Sequence, residues 1–250
     1  MRDGRLSTFG NLIALCVLIF VGWEALYLIA GDIAMRSPAE TFVYSVKLFG
    51  QEAFWVHASE TGKAFGLALA LAIGGGLAIG LTLGLSRLAS EVFEPMLVAV
   101  YSIPKITLYP ILLLAFGLGL SAKVAFGTLH GIIPIALFTI NGVRNVKPVL
   151  LKSAYTLGLS RLATIREVVL PAALPEIVTG LRIGFSLTII GTLLAEMFAS
   201  QRGLGFLLMN AIGLHNVDRI MALTFGLVVF AGTAGVILLA IDRRLHHRSN

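Results

Sequence analysis

Charge is what this sequence has least of. Only 13% of its 250 residues are Asp, Glu, Lys or Arg, about half the share of an ordinary soluble domain. Hydrophobic residues reach 57% and the mean hydropathy is +0.92. That balance excludes a water-soluble globular enzyme. Cysteine is almost absent: Cys16 stands alone, so no disulfide within the chain and no multi-cysteine metal site can form. Catalytic signatures are missing as well. The one Gly-Lys pair, Gly62-Lys63, is followed by Ala64 and lacks a glycine five residues earlier, so there is no P-loop. His246-His247 lacks the glutamate-containing spacing of a zinc helix, and no Gly-x-Ser-x-Gly occurs. Glu24 and Glu196 fall in separate apolar runs with no spacing that pairs them. We expect an integral membrane protein without catalytic residues or a metal. The net charge of +6 would suggest nucleic acid in a soluble chain; in a membrane protein the question is on which side it sits.

What is present is a series of apolar runs. A helix that crosses a bilayer needs about 20 mostly apolar residues. The runs predict an all-α membrane protein, one domain over residues 1–250, with about six spans: 9–30, 64–86, 97–120, 124–143, 176–198 and 220–241. Gly76, Gly80 and Gly84 recur every four residues in the second run, a spacing that lets another helix approach closely. Ser86 to Pro95 reads as a polar turn. Pro104 and Pro110 remove backbone donors from the third run, so it should be kinked or broken. His130, Pro134, Leu137 and Asn141 fall on one face of the fourth. After the first run, Ser37-Pro38-Ala39-Glu40 has the form of a capping box with proline at the first helical position. Phe42, Val46 and Phe49 follow at helical spacing, as in a short amphipathic surface helix; a plain connector fits about as well.

Six spans put both termini on one side. That side collects Arg2, Arg5, Arg87, Arg144, Lys147, Lys152, Arg161, Arg166, Arg243, Arg244 and Arg248. The other holds Arg36, Lys47, Lys63, Lys123, Arg202 and Arg219. The positive-inside rule makes the termini and the 144–175 loop cytoplasmic. Within that loop Val149 to Leu157 reads as a short helix, with Gly158 at its C-cap. Ser160 is placed to cap a second helix over Leu162 to Val169, with Pro171 as its stop. Two short helices meeting at a glycine suit a docking surface; a hairpin resting on anionic lipid is the alternative.

Lys152-Ser153-Ala154, three residues, Gly158, nine residues, Val168, one residue, Leu170-Pro171 has the spacing of the E-A-A-x3-G-x9-I-x-L-P loop. In this the chain resembles the membrane subunits of bacterial ABC importers. Pro171 to Arg182, Ser37-Pro38-Ala39-Glu40, Ile103-Pro104, Ala195-Glu196-Met197-Phe198 and Gly203-Leu204-Gly205-Phe206 look like their nitrate/sulfonate/taurine/bicarbonate branch. Lysine stands for the family's glutamate at 152, serine for alanine at 153 and valine for isoleucine at 168.

The resemblance implies a type I importer permease, with a coupling-helix loop between spans four and five. It implies a homodimer in the bacterial inner membrane, working with two ATP-binding subunits and an extracytoplasmic binding protein. ATP and Mg would sit on those partners, with no cofactor on this chain and no nucleic acid. Coupling then falls to Lys152, Ser153, Ala154, Gly158, Val168, Leu170 and Pro171. Intramembrane polar groups face a cavity or a partner as a rule, so Lys105, His130, Asn141, Arg182, Ser186 and Glu196 are the candidates for a translocation path, Lys105 and Arg182 suiting an anion. Glu24 qualifies by position as well. Arg182 near a helix end has the simpler alternative of snorkelling. A secondary transporter is the rival reading; it would need internal repeats, and none is convincing between the two halves.

Overall fold

A computed structural model describes the backbone of residues 3–246 and the side chains at 10, 11 and 14–240. Arg2 and Arg248, and the side chains of Arg5, Arg243 and Arg244, lie outside the described residues. The described elements are all helical: α1 (Asp3–Ala30), α2 (Pro38–Phe49), α3 (Glu52–Gly84), α4 (Arg87–Ser102), α5 (Tyr109–Phe116), α6 (Leu120–Arg144), α7 (Pro148–Thr156), α8 (Arg161–Thr164), α9 (Leu170–Phe198), α10 (Leu204–Gly213) and α11 (Val217–His246). Four of the helical runs are long and apolar enough to cross a membrane: Glu52–Gly84, Leu120–Arg144, Arg161–Phe198 and Val217–Ala240. A fifth is reached when α4 and α5 count as one broken span. Six is not reached among the described residues, because the described apolar stretch of α1, Ala14–Ala30, is shorter than the about 20 residues a crossing needs.

Of three local expectations, two are corrected and one is met. Ser86 to Pro95 is not a turn but the start of α4. The Ser86 hydroxyl caps it by accepting from Ala89 N at 3.3 Å, and Arg87 pairs with Glu91 one turn on at 2.9 Å, a spacing that supports a helix. The 97–120 run is broken, as its prolines predict. Ile103 is extended ahead of Pro104, as a residue before proline prefers, and a 3₁₀ turn over Lys105–Leu108 leads into α5. The two pieces meet at 87°. Pro110 sits in the first turn of α5, where a missing N–H costs nothing. Pro171, third, stops nothing: Arg161–Phe198 is one continuous run of 38 residues. A π-helical segment at Ile165–Val169 widens the turn just before the proline, and Leu170 N reaches back to Ile165 O. The ring then escapes the clash a regular turn would impose.

The contacts divide the chain into two compact units, Met1–Val56 with Leu207–Val229, and His57–Phe206 with Phe230–Asn250. In the first, the capping box is present: Glu40 N donates to Ser37 Oγ and Ser37 N to the Glu40 carboxylate, both at 3.2 Å. Thr41, Ser45 and Leu48 of α2 are buried, while Phe42, Val43 and Val46 are exposed. The apolar spacing thus marks the outward face, which suits a helix lying in an interface. Arg36 is held by Asp218 at 2.6 Å; that hydrogen bond raises the guanidinium above its ordinary range.

The second unit is built on the α6–α9 pair with α3 laid along it. Lipid supplies no hydrophobic drive for this, so close packing must. The glycine spacing does what it predicts. A Cβ on Gly76 would come within 2.7 Å of Ile135, and one on Gly84 within 3.0 Å of Val143. Gly80 faces Thr139 more tightly still. Further glycines of α6 admit α9: Gly127, Gly131 and Gly142 receive Thr192, Thr188 and Glu176, and the first two also face Ala68 and Ala72 of α3.

Candidate functional site

The 144–175 segment forms an elbow. At its root Val146 and Val169 share one buried cluster with Val143, Ala173 and Ile177, so the two ends of the elbow are pinned together. α7 closes on Gly158, whose φ is +69°. Gly158 N donates to Tyr155 O at 3.0 Å and Leu159 N to Ala154 O at 3.1 Å. That pair of bonds is a Schellman motif, which needs a left-handed residue at the turn. Ser160 then caps α8, its hydroxyl accepting from Ala163 N at 3.3 Å.

The candidate coupling residues distribute by face. Ala154 is buried and Val168 and Leu170 are half-buried, so these pack the elbow. Lys152, Ser153, Gly158 and Pro171 are exposed. The elbow exposes apolar residues as well: Tyr155 is 88%, Leu157 77% and Leu162 76% exposed. Behind the elbow lies an open groove of about 870 Å³, lined among others by Gly84, Arg144, Tyr155 and Arg161. Arg144 reaches Glu94 at 3.3 Å and Glu91 at 3.8 Å, tying α6 to α4.

The six path candidates lie on α6, α9 and the 3₁₀ turn over Lys105–Leu108, and the charge of Lys105 reaches His130. His130 is half-buried, with Nδ1 2.9 Å from Phe126 O. Asn141 and Ser186 are exposed, and Arg182 is half-buried. Glu24, in the first unit, is exposed. Lys105 stands at the break between α4 and α5, where Nζ donates to Tyr101 O at 3.0 Å and lies 4.4 Å from the Tyr101 ring centre.

Glu196 is fully buried and forms the hub of a polar cluster. It accepts from Thr61 Oγ1 at 2.7 Å, Gly205 N at 3.1 Å and Lys123 Nζ at 3.4 Å. Lys123 also donates to Arg202 O at 2.6 Å. Leu204 N donates to Thr61 Oγ1 at 2.8 Å, and Gly203 N to His57 Nδ1 at 3.0 Å. A Cβ at Gly203 would overlap the Glu196 carboxylate, so the glycines of Gly203-Leu204-Gly205 let the turn close over it. Lys123, Thr61 and His57 escape a reading of the sequence. Lys123 sits near the edge of an apolar run and looks like an interfacial anchor, and no spacing joins it to a residue 73 positions away.

Comparison with known proteins comes to the same place. The profile of the family described as binding-protein-dependent transport system inner membrane component matches residues 66–250. The taurine transport system permease protein of Escherichia coli strain K12 is 30% identical over 237 residues, covering 92% of this chain and 86% of that protein. A putative aliphatic sulfonates transport permease protein of Bacillus subtilis strain 168 is 29% identical over 189 residues, covering 76% and 65%. Among solved structures, a bacterial ABC transporter involved in the import of the acidic polysaccharide alginate superimposes with a TM-score of 0.68. The match covers 98% of this chain and 99% of that one at 15% identity, a likeness of fold alone.

Proposed function

Because the chain belongs to the family of binding-protein-dependent transport system inner membrane components, we propose that it is the permease subunit of an ATP-driven importer for a small sulfonate-like anion. The observation that carries the reading is the elbow. It is a short helix closed by a left-handed glycine, rooted in a buried cluster and presenting exposed apolar residues along with Lys152. A surface of this kind, joined rigidly to the 38-residue run Arg161–Phe198, can pass a push from a soluble partner into the membrane. The chain has no P-loop, so the partner is a pair of ATP-binding subunits that hold ATP and Mg. The cargoes for which two relatives are named, taurine and aliphatic sulfonates, support the cargo class. Two copies of the chain form the path in the bacterial inner membrane, with the termini and the elbow cytoplasmic, and a binding protein delivers the cargo from the other side.

The test is to tag the chain in its own cell, extract it in mild detergent and identify what co-purifies. A stoichiometric ATP-binding subunit, and ATP-dependent uptake of taurine or a related sulfonate by the reconstituted complex, are the expected results. A chain that purifies alone and moves solute without ATP would overturn the proposal.

Two substitutions probe the elbow. Lys152 inverts the charge that the family pattern carries, so its docking partner should offer an acidic or polar group there. Lys152→Glu is expected to weaken recovery of the ATP-binding subunit; unchanged recovery would remove the idea. At Gly158 a Cβ would meet nothing within 4 Å, so the cost of substitution is conformational alone. A left-handed backbone costs an ordinary residue about 1–2 kcal/mol, and asparagine less. Gly158→Asn should keep most of the co-purified ATPase, Gly158→Ala should lose some and Gly158→Val most. Equal recovery across the series would show that the turn does not set the docking geometry.

A further inference from the structure

We infer that the break between α4 and α5 is a binding station for the anionic end of the cargo, with Lys105 as its ligand. The inference rests on the permease reading above. Its depth follows from the packing. Four residues past Lys105, Tyr109 is buried, with its ring 4.8 Å from that of Phe126. The Tyr109 hydroxyl donates to Ala195 O at 2.7 Å. Phe126 is six positions into α6, about 9 Å from its start at about 1.5 Å per residue. The break therefore sits against the interior of a span rather than beyond its end.

Two lysines occupy this region, and they differ in kind. Lys123 has 4% of its side chain exposed and is sealed against a carboxylate. Lys105 is half-buried, and among the described residues no carboxylate lies within 4 Å of its ammonium. Its described partners are neutral: the Tyr101 carbonyl at 3.0 Å and the Tyr101 ring. That carbonyl belongs to the last turn of α4, where the helix dipole favours a cation. An ammonium carries three donors, and the carbonyl takes one. A cation in a membrane domain without a counter-ion is costly and marks an ion's route. Tyr101 holds the group through a cation–π contact, and a sulfonate or carboxylate is the better ligand. The proline-enforced break keeps this residue off a regular helix, so its ammonium can meet an ion passing along the span.

The experiment does not depend on the identity of the natural cargo. Cys16, the one cysteine, is replaced by serine. Ser102, exposed and three residues before Lys105, is replaced by cysteine in the complete importer in unsealed membranes. Rates of labelling are measured with the anionic sulfonatoethyl and the cationic trimethylammonioethyl methanethiosulfonates. A local positive charge concentrates the anion and repels the cation. The anionic-to-cationic rate ratio should fall by about tenfold or more on Lys105→Met and return with Lys105→Arg. With Lys105 intact the ratio should also fall as salt is raised, which needs no substitution at Lys105. No labelling by either reagent, or a ratio indifferent to both the substitution and salt, would overturn the station. Recovery of the ATP-binding subunit from the same membranes is scored separately: its absence with Lys105 intact defeats the permease reading, whatever the rates.

Discussion

Replacing Lys123 with methionine is expected to cost the fold about 3–5 kcal/mol, the usual penalty for removing one partner of a buried ion pair. Lys123 and Glu196 expose 4% and 0% of their side chains, so neither charge has water to fall back on. Without the ammonium, the carboxylate keeps the Thr61 hydroxyl and Gly205 N–H but must either remain a buried uncompensated anion or take up a proton, and both cost free energy. The Arg202 carbonyl also loses one of its two donors, keeping only the Ser200 hydroxyl. The effect should spread to the turn, because the lost donor and the Glu196 carboxylate hold the 202–205 segment against α3 and α6.

The remedy tests the cause. Glu196→Gln removes the charge yet keeps an oxygen that can accept from Thr61 and Gly205, so it should be milder than Glu196→Ala. In the double variant Lys123→Met with Glu196→Gln the unpaired anion is gone, and most of the lost stability should return. Such non-additivity is the mark of direct coupling between two residues. The measurement is the midpoint of thermal aggregation of the detergent-extracted protein, with the monodisperse fraction as a check. A Lys123→Met variant as stable as the parent, or a double variant whose loss is the sum of the singles, would mean that the pair holds nothing.

This cluster also shows how far the sequence can be read. The long helices are legible because lipid imposes a length and a polarity on each crossing. The elbow is legible because its determinants are local: a glycine at the αL position, Gly158, and a serine cap, Ser160, lie two residues apart. Pro171 misleads for the opposite reason. Proline normally ends a helix, and nothing in its neighbours announces the π segment at Ile165–Val169 that carries the helix through. The 87° break is half legible, since Pro104 and Pro110 forecast a distortion without its angle. Glu196 draws attention as an intramembrane charge, but its partners come from α3, α6 and the first turn of α10. Contacts between residues so far apart leave no periodic trace. Lys123 and Thr61 are ordinary residues until the fold brings them to it.

Gly131→Val is expected to leave little folded chain. Gly131 lies where α3, α6 and α9 meet. A Cβ there would overlap the Thr188 hydroxyl and lie 3.1 Å from both the Ala72 Cβ and the Gly184 carbonyl oxygen. Two of those obstacles are a backbone atom and a Cβ, which cannot rotate away. Overpacking a well-filled core typically costs about 1–3 kcal/mol, occasionally more. Alanine should fall in that range, and valine, with two further methyls, above it. Thr188 separates steric overlap from other causes. Its hydroxyl is buried without a hydrogen-bond partner among the described residues, so Thr188→Ala alone removes an unsatisfied polar group at little cost. In the pair Gly131→Ala with Thr188→Ala the closest overlap disappears, and the double variant should melt above Gly131→Ala alone. It should still melt below the parent, because Ala72 and Gly184 remain in the way. If Thr188→Ala fails to rescue, the threonine is not what excludes a side chain from Gly131. If Gly131→Val extracts and melts like the parent, the three helices do not depend on this close approach.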